Sequence, residues 1–422
     1  MTDSAFPALH GRPAQGWVND PNGLVVHDGR YHVFFQYNPD APVHADIRWG
    51  HVSSSDLVRW REEPIALSPR PGAPDEAGCW SGSTIVEDGV PTILYTGVDR
   101  RGSGEAGVLR AVPRDAGLQE WTVDGGTIPG TAGAGGLEVR DPYLFHFGGH
   151  RYAVQGAGTA GGEPLVALYT CDDLDRWRPL GALLDAADPV AAQLPPVQIW
   201  ECPNFFPIGD CWVLLLSLWR ADGGPLGRGG VVWLIGDLEQ TPDGPRFRPQ
   251  SSGVLDGGDV FYAPQVLQHG ERRLLWGWLR EPVGETRAVD AGWSGVLTFP
   301  RELSLDDGEL RSAPAGELTA LRADPVRIGA DGSIEAQAYE LSGTASEIRL
   351  VLAGDAAEPV YAYDGPPREH RILVDGSVVE VFAAGAAPVS IRTYPARGRK
   401  WRLDAGEGLH ARVLALPTEN GK

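Results

Sequence analysis

Glycine recurs along this chain at a nearly constant interval. Gly29, Gly89, Gly149, Gly209 and Gly270 are spaced by 60, 60, 60 and 61 residues, and each lies between two apolar runs. Val25-Val26-His27-Asp28-Gly29 leads into residues 31–37, and Ile85-Val86-Glu87-Asp88-Gly89 into residues 91–97. Residues 144–149, 205–209 and 266–270 lead in the same way into 152–156, 212–219 and 274–278. A glycine turn between apolar runs is a hairpin signal. A second echo, Asp56-Leu57-Val58-Arg59-Trp60 and Asp173-Leu174-Asp175-Arg176-Trp177, falls at corresponding places in the first and third units. Multi-stranded repeats of this length read as propeller blades, ahead of a β-solenoid or a sandwich with recurring strands.

The expectation is therefore an all-β chain, with a five-bladed β-propeller over residues 1–302. The repeat stops after Arg301. Residues 303–325 are polar and turn-rich and read as a linker. Residues 326–422 read as a small C-terminal β-sandwich, with strands at 370–374, 378–382 and 388–394 and a turn at Val374-Asp375-Gly376-Ser377. High Gly (56), Pro (35) and Trp (14) fit short strands joined by tight turns.

The formal charge of -20 disfavours nucleic acid and anionic membrane surfaces as partners, whereas a neutral sugar needs no steering. No stretch reaches transmembrane length, and residues 1–16 lack a basic, apolar leader. Cys79, Cys171, Cys202 and Cys211 form no close pair, so free thiols and a cytoplasmic location are expected. Nothing in the sequence sets an oligomeric state.

Eight or nine residues before each glycine, the first strand of each unit opens. The segments there are Asn19-Asp20-Pro21-Asn22, Trp80-Ser81-Gly82, Arg140-Asp141-Pro142-Tyr143, Glu201-Cys202-Pro203-Asn204 and Tyr262-Ala263-Pro264-Gln265. The first strand of a blade lines the central channel. Asp20, Asp141 and Glu201 should therefore project into one funnel, although each could instead simply cap a turn before proline. Carboxylates gathered in this way suit glycosidic cleavage, in which one attacks the anomeric carbon and another protonates the leaving oxygen. A neighbouring negative charge raises the pKa of the acid partner and keeps it protonated. Tryptophan-rich walls suit the apolar faces of sugar rings.

At these residues the sequence resembles glycoside hydrolase family 32, the invertases, inulinases and levanases. Trp17-Val18-Asn19-Asp20-Pro21-Asn22-Gly23, Arg140-Asp141-Pro142 and Glu201-Cys202-Pro203 are similar to the family's three boxes, in order and at family spacing. Phe34-Phe35-Gln36-Tyr37-Asn38-Pro39, Trp49-Gly50-His51, Trp80-Ser81-Gly82-Ser83 and residues 259–265 extend the likeness over the whole first domain. Residues 374–382 carry it weakly into the second. The resemblance implies Asp20 as nucleophile and Glu201 as general acid/base. It implies Arg140 and Asp141 as ligands of the fructose hydroxyls that stabilise the transition state. Asn19, Gln36 and Ser81 would bind the same ring, with Tyr262 among the substrate-binding residues. Trp49 and Trp80 are either walls or blade packing. His44 stands where many family members carry tryptophan, which gives a smaller, more polar wall unless it is a surface loop residue.

Other signals are weaker. Cys202 adjoins Glu201 with no histidine near it in sequence, so tuning or packing outranks a nucleophilic role. The histidines suggest no zinc site, and no cofactor is implied. Residues 223–230 are glycine-rich but lack the Gly-Lys-Ser/Thr ending of a phosphate loop and read as a flexible loop. The expected activity is release of terminal β-fructose from sucrose or a short fructan with retention. The alternatives are fructosyl transfer on the same scaffold, a non-catalytic sugar-binding propeller, and an arabinan-cleaving propeller enzyme.

Overall fold

A computed structural model describes residues 3–99, 105–133, 137–220, 229–282, 285–352, 359–395 and 400–417. Residues 223–228 of the glycine-rich segment lie outside the described residues. The five glycines each take a positive φ, between 56° and 82°. Each sits in a two-residue hairpin loop, flanked by the pairs His27↔Arg30, Glu87↔Val90, Phe147↔His150, Ile208↔Cys211 and His269↔Arg272. Loops this short favour left-handed backbone, which glycine adopts without steric cost.

Each hairpin opens a four-stranded antiparallel meander, and there are five in succession. Their opening strands are Gly16–His27, Gly78–Glu87, Glu138–Phe147, Ile199–Ile208 and Phe261–His269. These strands touch one another in chain order, and the fifth returns to touch the first. A parallel pairing of Gly16 and Trp17 with Trp293 and Ser294 ties the start of the first meander to a segment inserted in the fifth. The third and fourth meanders share a backbone bridge, Ala157↔Trp200. Side chains add further links between the meanders. Asn22 Oδ1 accepts from Gly82 N, Gln265 Nε2 donates to Gly82 O, Ser83 Oγ donates to Pro142 O, and Asn204 Nδ2 donates to Pro264 O. This belt of polar side chains crosses the middle of the ring.

The linker expected over 303–325 is corrected here. Arg301–Asp306 and Glu309–Pro314 are the outer strands of the fifth meander, paired with Arg272–Leu279 and with each other. Their hairpin turns at Asp307-Gly308, both at positive φ. Leu303 and Leu310 face inward while the other face is polar and solvated, so the stretch reads as polar in sequence. Gly316–Leu321 is a 3-10 helix, and Arg322–Val326 already pairs with Leu409–Leu414 of the C-terminal sheet.

The C-terminal strands form one hydrogen-bonded sheet. Two fifteen-residue strands, Ala338–Leu352 and Tyr361–Asp375, are its axis. Its core gathers Tyr339, Leu350, Ile372, Val374, Val381 and Trp401. A buried charge network fastens this sheet to the ring. Arg301, fully buried, donates to Asp256 at 2.7 Å, to Glu380 at 2.6 Å and to Ser390 at 2.6 Å. His10 lies 2.7 Å from Asp375 and 3.4 Å from Glu380.

Candidate active site

Each opening strand is interrupted at the same place. Against its hairpin partner, two residues oppose one: 19–20 against Gln36, 80–81 against Thr96, 141–142 against Gln155, 202–203 against Leu216, and 263–264 against Gly277. These are β-bulges, which release a residue from the ladder and re-aim its side chain. Proline suits a bulge because it has no N–H to leave unpaired. Three residues preceding proline are forced to positive φ: Asp141 (60°), Cys202 (48°) and Ala263 (44°). Such a conformation costs a side-chain-bearing residue on the order of 1–3 kcal/mol and persists only where neighbours hold it. Here they do: Asp141 N donates to Thr96 Oγ1 at 2.9 Å, Cys202 N to Asp141 Oδ2 at 3.0 Å, and Ala263 N to Ser217 Oγ at 3.1 Å.

The bulges bring the three acids into one connected network. Asp20 is held by neutral donors, Ser81 Oγ at 2.8 Å and Asn19 Nδ2 at 3.2 Å. Asn19 is oriented in turn by Trp17 Nε1, at 2.7 Å from its Oδ1. The Cys202 sulfur sits 3.7 Å from Asp20 Oδ2 and 3.5 Å from Asp141 Oδ2. Burial, with the charges of Asp141, Asp20 and Glu201, pushes this thiol well above its ordinary pKa, so it stays a neutral donor. Glu201 is held on both oxygens, by Arg140 Nε at 3.2 Å and by the Tyr262 hydroxyl at 2.8 Å.

Asp141 is buried, and its carboxyl is pushed up to about 7. Desolvation is the largest cause, followed by the negative charge of Glu201. Arg140 opposes the rise, Asp20 adds to it, and the Cys202 N–H opposes it. Desolvation and like charge thus act together on Asp141, the residue expected to face developing positive charge.

The expected binding residues divide. Asn19 and Ser81 touch Asp20 directly. Gln36 is buried opposite the first bulge and donates to Cys79 O at 3.3 Å. Trp80 is partly exposed. His44 is exposed, with its ring edge-on to Trp17 at 6.0 Å and to Trp80 at 6.4 Å, so it belongs to an aromatic rim. Trp49 is not a wall. It is fully buried in the cluster of Phe34 and Tyr95, and its Nε1 donates to Trp80 O at 3.1 Å. It lies on the third strand of its meander, Arg48–Ser54, with its ring packed against Gly23 of the opening strand. Tyr262 is 1% exposed and reaches the site through Glu201. Sequence reasoning missed Trp17 as a site residue, although it heads the first box. It also missed Trp219, whose ring lies 5.9 Å from the Arg140 guanidinium. Among the described residues no group of three or more His, Cys, Asp or Glu is arranged to hold a metal, and no helix is long and apolar enough to cross a membrane.

Residues 10–314 match the glycosyl hydrolases family 32 N-terminal domain. The chain is 34% identical to a sucrose-6-phosphate hydrolase of Klebsiella pneumoniae, over 94% of this chain and 90% of that one. It is 31% identical to a raffinose invertase of Escherichia coli, over 96% and 92%. Among solved structures it resembles a family 32 β-fructofuranosidase of Bombyx mori. The TM-score is 0.82 at 25% identity, covering 98% of this chain and 95% of that one.

Proposed function

Because the chain belongs to glycoside hydrolase family 32, we propose that it releases terminal β-fructose from sucrose or a short fructan through a covalent fructosyl-enzyme. On this reading the five meanders are the blades of a propeller, the bulged opening strands line its funnel, and the C-terminal sheet folds over as a sandwich. The three acids at these bulges would then sit at the funnel's mouth.

The observation that carries the reading is the unequal tethering of the carboxylates. Asp20 accepts from the hydroxyl of Ser81 and the amide of Asn19, which orient its carboxylate for attack on the anomeric carbon. Glu201 is fixed through both oxygens between a cation and a phenol, the kind of fixed orientation a proton-transferring group needs. As Asp20 forms its bond to the anomeric carbon, the glycosidic bond breaks and its oxygen takes the proton of Glu201. In the second step Glu201 removes a proton from water, whose oxygen attacks the anomeric carbon from the face the leaving sugar vacated and displaces the Asp20 carboxylate. Retention by this route requires the two carboxyl groups to lie about 5–5.5 Å apart. Asp141, when ionised, accepts hydroxyl hydrogen bonds that strengthen as the ring becomes cationic. Unpaired thiols at all four cysteines favour action inside a reducing compartment.

Turnover of sucrose, sucrose 6-phosphate, raffinose, inulin and levan by the purified protein tests the assignment. Fructose release from at least one of them, lost in Asp20→Ala, supports it. An inert wild-type protein on the whole panel overturns it.

A further inference from the structure

The polar groups around Asp20 and those around Glu201 carry different aromatic residues. Trp17, His44 and Trp80 gather on the Asp20 side, joined to it through Asn19 and neighbouring Ser81. On the Glu201 side stands Trp219, at the end of Cys211–Trp219 and paired with Ile199, two residues before Glu201. The other tryptophans of that meander, Trp200, Trp212 and Trp233, pack into hydrophobic clusters. Trp219 is partly exposed and belongs to none of the clusters among the described residues. Its ring instead lies beside Arg140, whose Nε is bound to Glu201.

We infer that Trp219 is the platform of the subsite for the departing sugar, stacking on the apolar face of a pyranose. The inference rests on the function proposed above. In a cleavage with Asp20 as nucleophile and Glu201 as acid, the fructosyl ring lies on the Asp20 side. The leaving oxygen lies against Glu201, so the sugar attached to it extends past Arg140 toward Trp219. A partly exposed indole there offers a broad apolar face, while Arg140 and Glu201 supply the polar groups at its edge. The Arg140 guanidinium over the same ring holds the indole in place by a cation–π contact.

Two substrates separate this role from a merely supporting one. Sucrose carries a glucopyranosyl leaving group, whereas methyl β-fructofuranoside leaves methanol and has no ring to stack. Trp219→Ala should raise KM for sucrose about tenfold, the equivalent of one lost aromatic contact. KM for the methyl fructoside and inhibition by free fructose should stay within about twofold of wild type. Trp219→Phe, which keeps an aromatic face, should recover most of the affinity for sucrose and gives a reading if the alanine variant folds poorly. Equal losses on both substrates would mean that Trp219 acts only by supporting Arg140, and unchanged constants on both would mean that it lies outside the subsite. Either result overturns the inference while the activity stands. A wild-type protein inert on both fructosides would remove the activity and the inference together.

Discussion

Tyr262 donates its hydroxyl to Glu201 Oε2 at 2.8 Å from a ring that is almost completely buried. The Arg280 guanidinium carbon, 5.1 Å from its ring centre, packs over its face. With Arg140 on its other oxygen, Glu201 is held in a fixed orientation.

Removing the hydroxyl isolates this effect. Tyr262→Phe should lower kcat on sucrose by about tenfold or more, the scale of one hydrogen bond to a charged group. KM should change little. An aryl fructoside, whose leaving group needs little protonation, should lose much less in its first step. Equal losses on both substrates would show that the hydroxyl supports the fold rather than the acid.

Asp141 links activity to pH and to stability with opposite signs. Its carboxyl is pushed up to about 7, so lowering the pH through 7 protonates it and removes charge that favours the cationic transition state. Activity should fall on that limb, and Asp141→Asn should be slow at every pH and flat across it. For folding, the native carboxyl binds its proton more tightly than the unfolded one. Stability from this group is therefore present at low pH and lost as pH rises from about 4 toward 7. Asp141→Asn should melt a few degrees above wild type at pH 7, with the advantage vanishing near pH 4. Melting curves of the two proteins from pH 4 to 8 check this; a destabilised variant at pH 7 would contradict it.

The network between ring and C-terminal sheet sets two arginine- and histidine-borne charges, Arg301 and His10, against Asp256, Asp375 and Glu380, all buried. Glu380→Ala leaves Arg301 without the carboxylate oxygen that accepts from both its Nε and its Nη2 and should cost about 3–5 kcal/mol in chemical denaturation. His10 is raised above its ordinary value of 6.5: desolvation lowers it, but hydrogen bonds and charge from Asp375 and Glu380 outweigh this. Its contribution is thus fully present below pH 6.5 and lost as pH rises through the native value. Wild-type melting temperature should decline on that alkaline side more steeply than that of His10→Gln. Parallel slopes would show that His10 carries no proton in the native state.

How far the sequence carried the structure depends on how local each signal is. The glycine hairpins were legible because a two-residue loop selects left-handed backbone at a fixed place. The grouping of Asp20, Asp141 and Glu201 was legible because each sits in or next to the corresponding bulge, marked by a proline one or two residues later. Trp49 was not legible as core: it sits in a box with site residues nearby, but its strand is the third of its meander, and alternation alone does not say which strand faces the funnel. The strands at 301–314 were hidden by the polar face of an outer hairpin. The role of residues 374–382 was hidden for a different reason. Asp375 and Glu380 meet His10, which is 365 and 370 residues away, and no local pattern announces such a contact.

The central claim is that Asp20 forms a bond to the anomeric carbon. NMR of the first fructose released from sucrose, recorded before mutarotation, tests it directly. The account predicts β-fructofuranose as the initial anomer, from two displacements on the same carbon. Initial release of the α-anomer would mean a single displacement by water and would contradict Asp20 as nucleophile.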